Sequence, residues 1–460
     1  MAATTVVPST SVTATGSGKC GMGDWVTEEA RVARLSQDFS WFSPVLKRQL
    51  AGKTAEAAVR PRTEEEIVRI VAACARHRVP LTIRGTGTGN YGQAVPLHGG
   101  VVLDMSGYKG FVWARQGAGR AQAGIRLSDF EKETRAACGM ELRCMPSTYR
   151  SATLGGLFGG GFGGVGSINH GPLAARGNVL GLKAITIEPE PQLVELRGPD
   201  ALLMHHMWGT NGLVLEIELA LAPAHDWLES IVVFRDFNAA LGFGDVLAHA
   251  PGIVKREIAL MADPVPGYLK PLADHLPPGC HALIVALAPS SEPAMLELVA
   301  QWGGEVTYRK DAAEIARTNR TLLEYTWNHT TLVALRTEKD ITYLQCAYTA
   351  GQHVEQVRKL HEMLHPEVQM HAEFIRNLDG RMTCTALPIV RFTTEERLQA
   401  IMQTFRDHGV RINDPHVYIV EDGKAGGPLP AGVLEMKKRF DPLGLLNPGK
   451  VRAWMDGVPA

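Results

Sequence analysis

The sequence predicts an α+β protein of two lobes that lacks a Rossmann fold, and three observations carry that expectation. The first half alternates strands and helices around two separate glycine-dense loops. Neither loop runs into the helix that a Rossmann phosphate site requires. The second half alternates strands and helices without glycine loops, the pattern of an antiparallel sheet covered on one face by helices.

Residues 1–50 read as a tail and a lead-in helix. The first 19 are rich in Ser, Thr, Ala and Gly and lack the cationic start and apolar core of a signal peptide. The segment TEEEIVRIVAACARHR (63–78) opens with a capping box, Thr63 with Glu66. Ile67, Ile70, Val71 and Cys74 then form the stripe of an amphipathic helix. A strand at Leu81–Arg84 runs into the loop RGTGTGNYGQ, and a strand at 101–105 follows. Next come a helix at 126–138, a glycine-rich block at 151–171, and strands at Val179–Ile187 and Leu213–Leu221. A boundary falls near Pro223, so that 51–223 and 224–420 form two domains. In the second, strands are expected at 281–288, 305–308, 341–348, 368–375 and 382–390. Helices are expected at 291–301, 353–364 and 394–407, the last with a capping box of Thr393 and Glu396. The turn-rich segment FDPLGLLNPGKV within 421–460 returns to the first domain.

Of the 460 residues 45% are apolar and 21% charged, which suffices for a large core. A net charge of -1 gives no field to attract nucleic acid or an acidic membrane surface. No run approaches the ~18 strongly apolar residues of a membrane span. Seven scattered cysteines without a CxxC pair read as a reduced, cytoplasmic chain with neither a disulfide framework nor a cysteine zinc site.

Gly87-x-Gly89-x-x-Gly92 formally matches the dinucleotide fingerprint, but QAVPLHGG and a strand follow it instead of a helix. Gly159-x-Gly161-x-x-Gly164 matches equally and lacks the same context. Such loops can still present several backbone N–H groups to an anion without a helix. Two of them in one domain suit a long ligand with a pyrophosphate; tight turns alone are the plainer alternative.

Five segments together carry a resemblance across about half the chain. They are VRPRTEEEIVRIVAACARHRVPLTIRGTGTGNYGQ, MPSTYRSATLGG, GPLAARGNVLGL after a GxGS at 164–167, GTNGLVLEIELAL, and FDPLGLLNPGK. In this order they resemble the vanillyl-alcohol oxidase/p-cresol methylhydroxylase (PCMH-type) flavoproteins, nearest the branch of glycolate oxidase D-subunits and D-2-hydroxy-acid dehydrogenases. The resemblance implies FAD in a two-subdomain binding domain, with a ferredoxin-like cap. It places Arg84, Gly85, Thr86, Gly87, Thr88, Gly89, Asn90 and the neighbouring Gln93 around the pyrophosphate. Pro146, Ser147, Thr148, Thr153, Gly155, Gly156, Gly163, Gly164, Ser167 and Ile168 would follow the ribityl chain and isoalloxazine. The backbone of Ile217 would meet the adenine half, and Asn447 and Lys450 would return near the flavin ring. Relatives with flavin bound to the first loop carry His where this chain has Thr88, so non-covalent FAD is expected; attachment from the cap stays open. The histidine-rich metal motifs of the D-2-hydroxy-acid dehydrogenases are replaced here by EFIRNLDGRMTC and NDPHVYIVEDG, so no metal is expected.

The implied reaction is oxidation of a CH–OH group, in a 2-hydroxy acid or a small or aryl alcohol, by hydride transfer to flavin N5. Oxygen, a quinone, a cytochrome or another acceptor would reoxidise the flavin, and a homodimer is compatible. Oxidation of a phenolic benzylic carbon, or an electron-transfer flavoprotein without catalysis, are the alternatives. His416 takes the place of the base histidine in the family's EHG motif, with Tyr418 on the same face. His329, in EYTWNHTTL beside Tyr325, Trp327 and Asn328, belongs either to a substrate wall or to the cap core. Arg336 is the cap arginine that would hold a carboxylate, with a surface ion pair as its alternative. His371 and Glu373 share one strand face and could reach a ligand together or form an edge pair. His205 and His206 read as structural.

Overall fold

A computed structural model describes residues 23–423 and 428–455; the expected N-terminal tail lies outside the described residues. The first lobe holds two sheets. In the smaller, strands Ala57–Arg60, Val101–Asp104 and Leu81–Arg84 run parallel, and Asp24–Val26 adds an antiparallel edge. The helix Glu64–Arg76 packs on this sheet through Ile67, Ile70, Val71 and Cys74. Its Thr63–Glu66 capping box forms as expected. The second sheet is antiparallel. The long strand Leu213–Pro223 lies at its centre, between Ala118–Gln122 and Val179–Ile185.

The second lobe is an eight-stranded sheet in which every pairing is antiparallel. Helices Phe237–His249, Glu292–Gln301, His353–Leu364 and Glu395–Asp407 cover one face. The helix-covered face is as expected, and the other face is buried as well. Ile231, Val233, Ala259, Met261, Ile284 and Ala286 point to the opposite face, which packs on residues 265–276, 322–343 and Phe42, Met145 and Val165 of the first lobe. The face that would be wet in an open-faced sheet is therefore the seam between lobes.

The other departures have local causes. The expected strands 341–348, 368–375 and 382–390 each break in two, one piece in the large sheet and one in a three-stranded sheet formed by Ile341–Tyr343, Ile389–Arg391 and Val368–Gln369. The last of the four covering helices is capped by Thr394, which accepts from the Arg397 N–H, and not by Thr393. The block 151–171 is not all loop. Thr153 caps a seven-residue helix, Leu154–Gly160, because Leu154, Leu157 and Phe158 provide an apolar side for the core. Ser167–His170 forms a further turn of helix. No helix among the described residues is long and apolar enough to cross a membrane.

Candidate functional site

Both glycine loops and the inner edge of the second lobe line one cavity of about 480 Å³. The first loop leaves the strand Leu81–Arg84 and interlocks with the start of the second. Thr86 Oγ1 donates to the Ser151 carbonyl at 2.7 Å, and a Cβ on Gly85 would stand 2.1 Å from Thr153 Oγ1. Gly155 donates to the Ala123 carbonyl at 2.7 Å, where a Cβ would meet Ala123 at 2.8 Å. These glycines let two backbone segments nest; a side chain would wedge them apart. Gly159 differs, because a Cβ there would meet no protein atom within 4 Å and would project into free space at the cavity wall.

Arg84, Gly85, Thr86, Gly87, Thr88, Gly89, Asn90 and Gln93 line the cavity. So do Pro146, Ser147, Thr148, Thr153, Gly155, Gly156 and Gly163. The Arg84 guanidinium, however, is turned inward. It donates to the carbonyls of Leu35, Gln37, Thr86 and Gly85, so it braces the loop. Burial lowers its pKa.

Six expected contacts do not line the cavity. Gly164, Ser167 and Ile168 pack behind it: Gly164 donates to Ser167 Oγ at 3.1 Å, and Ile168 enters the core of the second lobe. Ile217 is paired on both sides, with Ala121 and Leu182, and Gly212 and Val214 line the cavity in its stead. Asn447 and Lys450 grip the loop from beneath. Asn447 Nδ2 donates to the carbonyls of Gln93 and Trp208 at 2.7 and 2.8 Å. Lys450 Nζ donates to those of Gly92, Gln93 and Val95, and burial pulls its pKa down to about 7.

The catalytic expectations fare differently. His416 is buried away from the cavity, with Nδ1 2.8 Å from Ser43 Oγ and its ring edge-on to Tyr343. Burial drops its pKa to about 4. Tyr418 packs with Leu46, Leu50 and Val95. Arg336 is exposed in the last turn of the helix Asn328–Thr337 and does not line the cavity. His329 lies in the first turn of that helix, one residue from cavity-lining Asn328 and beside the carbonyl of cavity-lining Ser147. Its Nδ1 completes no hydrogen bond, and burial lowers its pKa to about 4.

Several lining residues escaped sequence reasoning. His205 and His206, read as structural, border the cavity with Tyr91 and Trp208, whose rings stack at 5.2 Å. The paired HH beside an aromatic was the available signal. From the second lobe come Trp327, Asn328, Gln345, Thr385, Leu387 and Asn413. Tyr91 Oη donates to Gln345 Oε1, tying the first loop to the cap. Trp327 adopts φ 52° and ψ −141°, a region that costs a bulky residue on the order of 1–3 kcal/mol. Two buried carboxyls hold it there. Glu373 accepts its backbone N–H at 2.6 Å and Glu257 its indole N–H at 3.2 Å. His371 Nε2 lies 3.0 Å from Glu373, so this pair supports the wall from behind rather than facing a ligand. Among the described residues no cluster of His, Cys, Asp and Glu is arranged to hold a metal ion.

Burial raises the pKa of both carboxyls, with mutual repulsion adding for Glu257, and Glu373 is pushed up to about 7. An unfolded glutamate ionises near 4.5. From that pH to about 7 the folded chain therefore holds the extra proton, and stability falls as pH rises. Glu373→Gln keeps an acceptor for the Trp327 N–H without the charge. It should match the wild type near pH 5 and exceed it at about pH 8 by on the order of 2–3 kcal/mol. Urea melts at the two pH values measure this, and equal differences at both would refute it.

The cradle suits FAD. Both glycine loops line it, Gly159 opens onto it, and the buried Trp208 Nε1 at its wall has no hydrogen-bond partner within the protein. Comparison with known proteins agrees. Residues 55–196 match a family described as an FAD binding domain. Over 215 residues the chain is 30% identical to an uncharacterised FAD-linked oxidoreductase of Mycobacterium tuberculosis, the stretch covering 44% of each protein. It is 29% identical over 216 residues to glycolate oxidase subunit GlcD of Escherichia coli, covering 44% of this chain and 42% of that one. The aligned stretch thus spans less than half the length of these curated relatives. A solved structure of alkyldihydroxyacetonephosphate synthase is 13% identical and superposes with a TM-score of 0.69, over 93% of this chain and 82% of that chain, a likeness of fold.

Proposed function

We propose that this chain, a PCMH-type flavoprotein with FAD as its cofactor, oxidises a CH–OH group of a small organic substrate. The observation that carries this reading is the shared cavity: a wall of aromatic and amide side chains from the second lobe closes on the space that both glycine loops line. That combination of an apolar wall and a few convergent polar groups is the usual make-up of a small-molecule site. Bound FAD supplies the hydride acceptor, N5 of its isoalloxazine. The glycine loops, braced by Arg84, Asn447 and Lys450, hold the cofactor. Trp327 and Leu387 exclude water on the cap side, and Asn328, Gln345 and Asn413 orient hydroxyl groups.

Removal of hydride from a CH–OH carbon requires the hydroxyl proton to leave as the carbonyl forms. On the cap side we assign that proton to His329, beside cavity-lining Asn328, whose buried Nδ1 has no hydrogen-bond partner and whose ring stays neutral. His329→Asn should keep FAD and fold while slowing anaerobic flavin reduction by ~10²–10⁴-fold. His416→Asn should leave that rate unchanged. The wild-type rate should hold level from high pH down to about pH 5 and fall only below, because the unprotonated imidazole is the base and its pKa is near 4. A midpoint at the ordinary histidine value, or a His329→Asn variant as fast as the wild type, would remove His329 from this role. Bleaching of the flavin under anaerobic conditions by alcohols or hydroxy acids tests the reaction class itself. Flavin that dithionite reduces and none of these substrates does would contradict it.

A further inference from the structure

We infer that the substrate is an uncharged alcohol, held through its hydroxyl groups, and not a carboxylate; this rests on the proposed oxidation of a CH–OH group. The cap wall consists of Trp327, Asn328, Gln345, Thr385, Leu387 and Asn413. Two are apolar and four are neutral hydrogen-bonding groups. Carboxamides and a hydroxyl both donate and accept, which matches alcohol hydroxyls that do the same. A carboxylate offers only acceptors and brings a charge that must be paired when it leaves water.

Charge elsewhere in the cavity is committed. Apart from the imidazoles of His205 and His206, the ionisable lining residues with acidic or basic side chains among those described are Asp38 and Arg84. Arg84 spends its donors on four backbone carbonyls. Asp38 accepts from the Ser40 and Ala94 N–H groups. Arg336, the cap arginine suited to a carboxylate, is exposed and outside the lining.

The ground behind the wall points the same way. Trp327 is backed by Glu373 and Glu257, and His371 beside them is held neutral by burial. None of these three groups supplies a cation to pair with a carboxylate at the indole. Trp327 is fixed in its strained conformation by these same two acceptors, so the wall cannot turn away without breaking both hydrogen bonds.

Matched pairs test the inference with the FAD-loaded protein: lactate against propane-1,2-diol, and mandelate against 1-phenylethane-1,2-diol. Each pair exchanges only a carboxylate for CH₂OH. Anaerobic flavin reduction should favour the diol by on the order of 10²-fold or more in kcat/KM, the consequence of desolvating an unpaired carboxylate. Asn413→Lys, which puts a cation in the wall, should narrow or reverse that preference. A wild-type preference for the acids would overturn the inference while leaving the oxidation of CH–OH groups standing. An Asn413→Lys protein that stays yellow and keeps the wild-type preference would overturn the assignment of this wall to substrate. If neither member of either pair reduces the flavin and no other alcohol or hydroxy acid does, the oxidation reading falls and this inference with it.

Discussion

Gly159→Leu should yield a folded, colourless protein. The residue lies in the helix Leu154–Gly160, and its Cβ position faces free space at the cavity wall. No neighbouring protein atom lies within 4 Å of that Cβ position, and leaving glycine in a helix gains about 0.5–1 kcal/mol. The isobutyl group would, however, occupy the volume that FAD needs. Overlap with a bound ligand should weaken FAD binding by at least ~10²-fold, since each tenfold loss corresponds to about 1.4 kcal/mol. Thermal melts of the apoprotein together with titration of FAD separate the two effects. Gly85→Ala is the contrast, because its Cβ would stand 2.1 Å from Thr153 Oγ1 and should damage the fold itself. A yellow Gly159→Leu protein with full flavin content would show that the second glycine loop does not border the cofactor.

Lys450→Met should lose both stability and flavin. The ammonium group is buried and serves three backbone carbonyls, of Gly92, Gln93 and Val95, at the foot of the first glycine loop. It also faces buried Asp38. Methionine fills the space but leaves three carbonyls without their donor and Asp38 without its cation. Removing one partner from such a buried arrangement costs about 3–5 kcal/mol. FAD affinity should fall as well, because these carbonyls belong to the loop that lines the cavity. Urea denaturation and flavin content are the measurements, and a variant within about 1 kcal/mol of the wild type would refute the bracing role.

Much of the fold was legible because local chemistry and tertiary structure agree there. The Thr63–Glu66 capping box, the strand Leu81–Arg84 and the helix His353–Leu364 stand where periodicity places them. The strands Leu228–Phe234 and Lys255–Met261 were missed because both of their faces are buried. Their sequences, LESIVVF and KREIALM, bury Glu229, Lys255, Arg256 and Glu257 together with the apolar residues, so neither shows the apolar–polar alternation of a half-buried strand. The glycine loops announced the cradle, since close backbone approach excludes side chains at Gly85 and Gly155. Chain position could not tell a residue that lines the cavity from one that braces it. Ile217 and Val214 lie three residues apart on one strand, yet only Val214 lines the cavity. His416 sits in a bend that could have aimed it at a ligand, and only packing shows that Ser43 holds it instead. The strained Trp327 left no local signal either, because its conformation depends on Glu373, distant in sequence, and on Glu257.

The flavin content of the purified protein tests the account at its root. The cavity with both glycine loops should hold one FAD per chain. Thr88 stands in the first loop where a covalent histidine would be needed, so acid or heat should release intact FAD into solution. Flavin that stays with the precipitate would contradict the non-covalent assignment, and colourless protein that cannot be reconstituted with FAD would contradict the account as a whole.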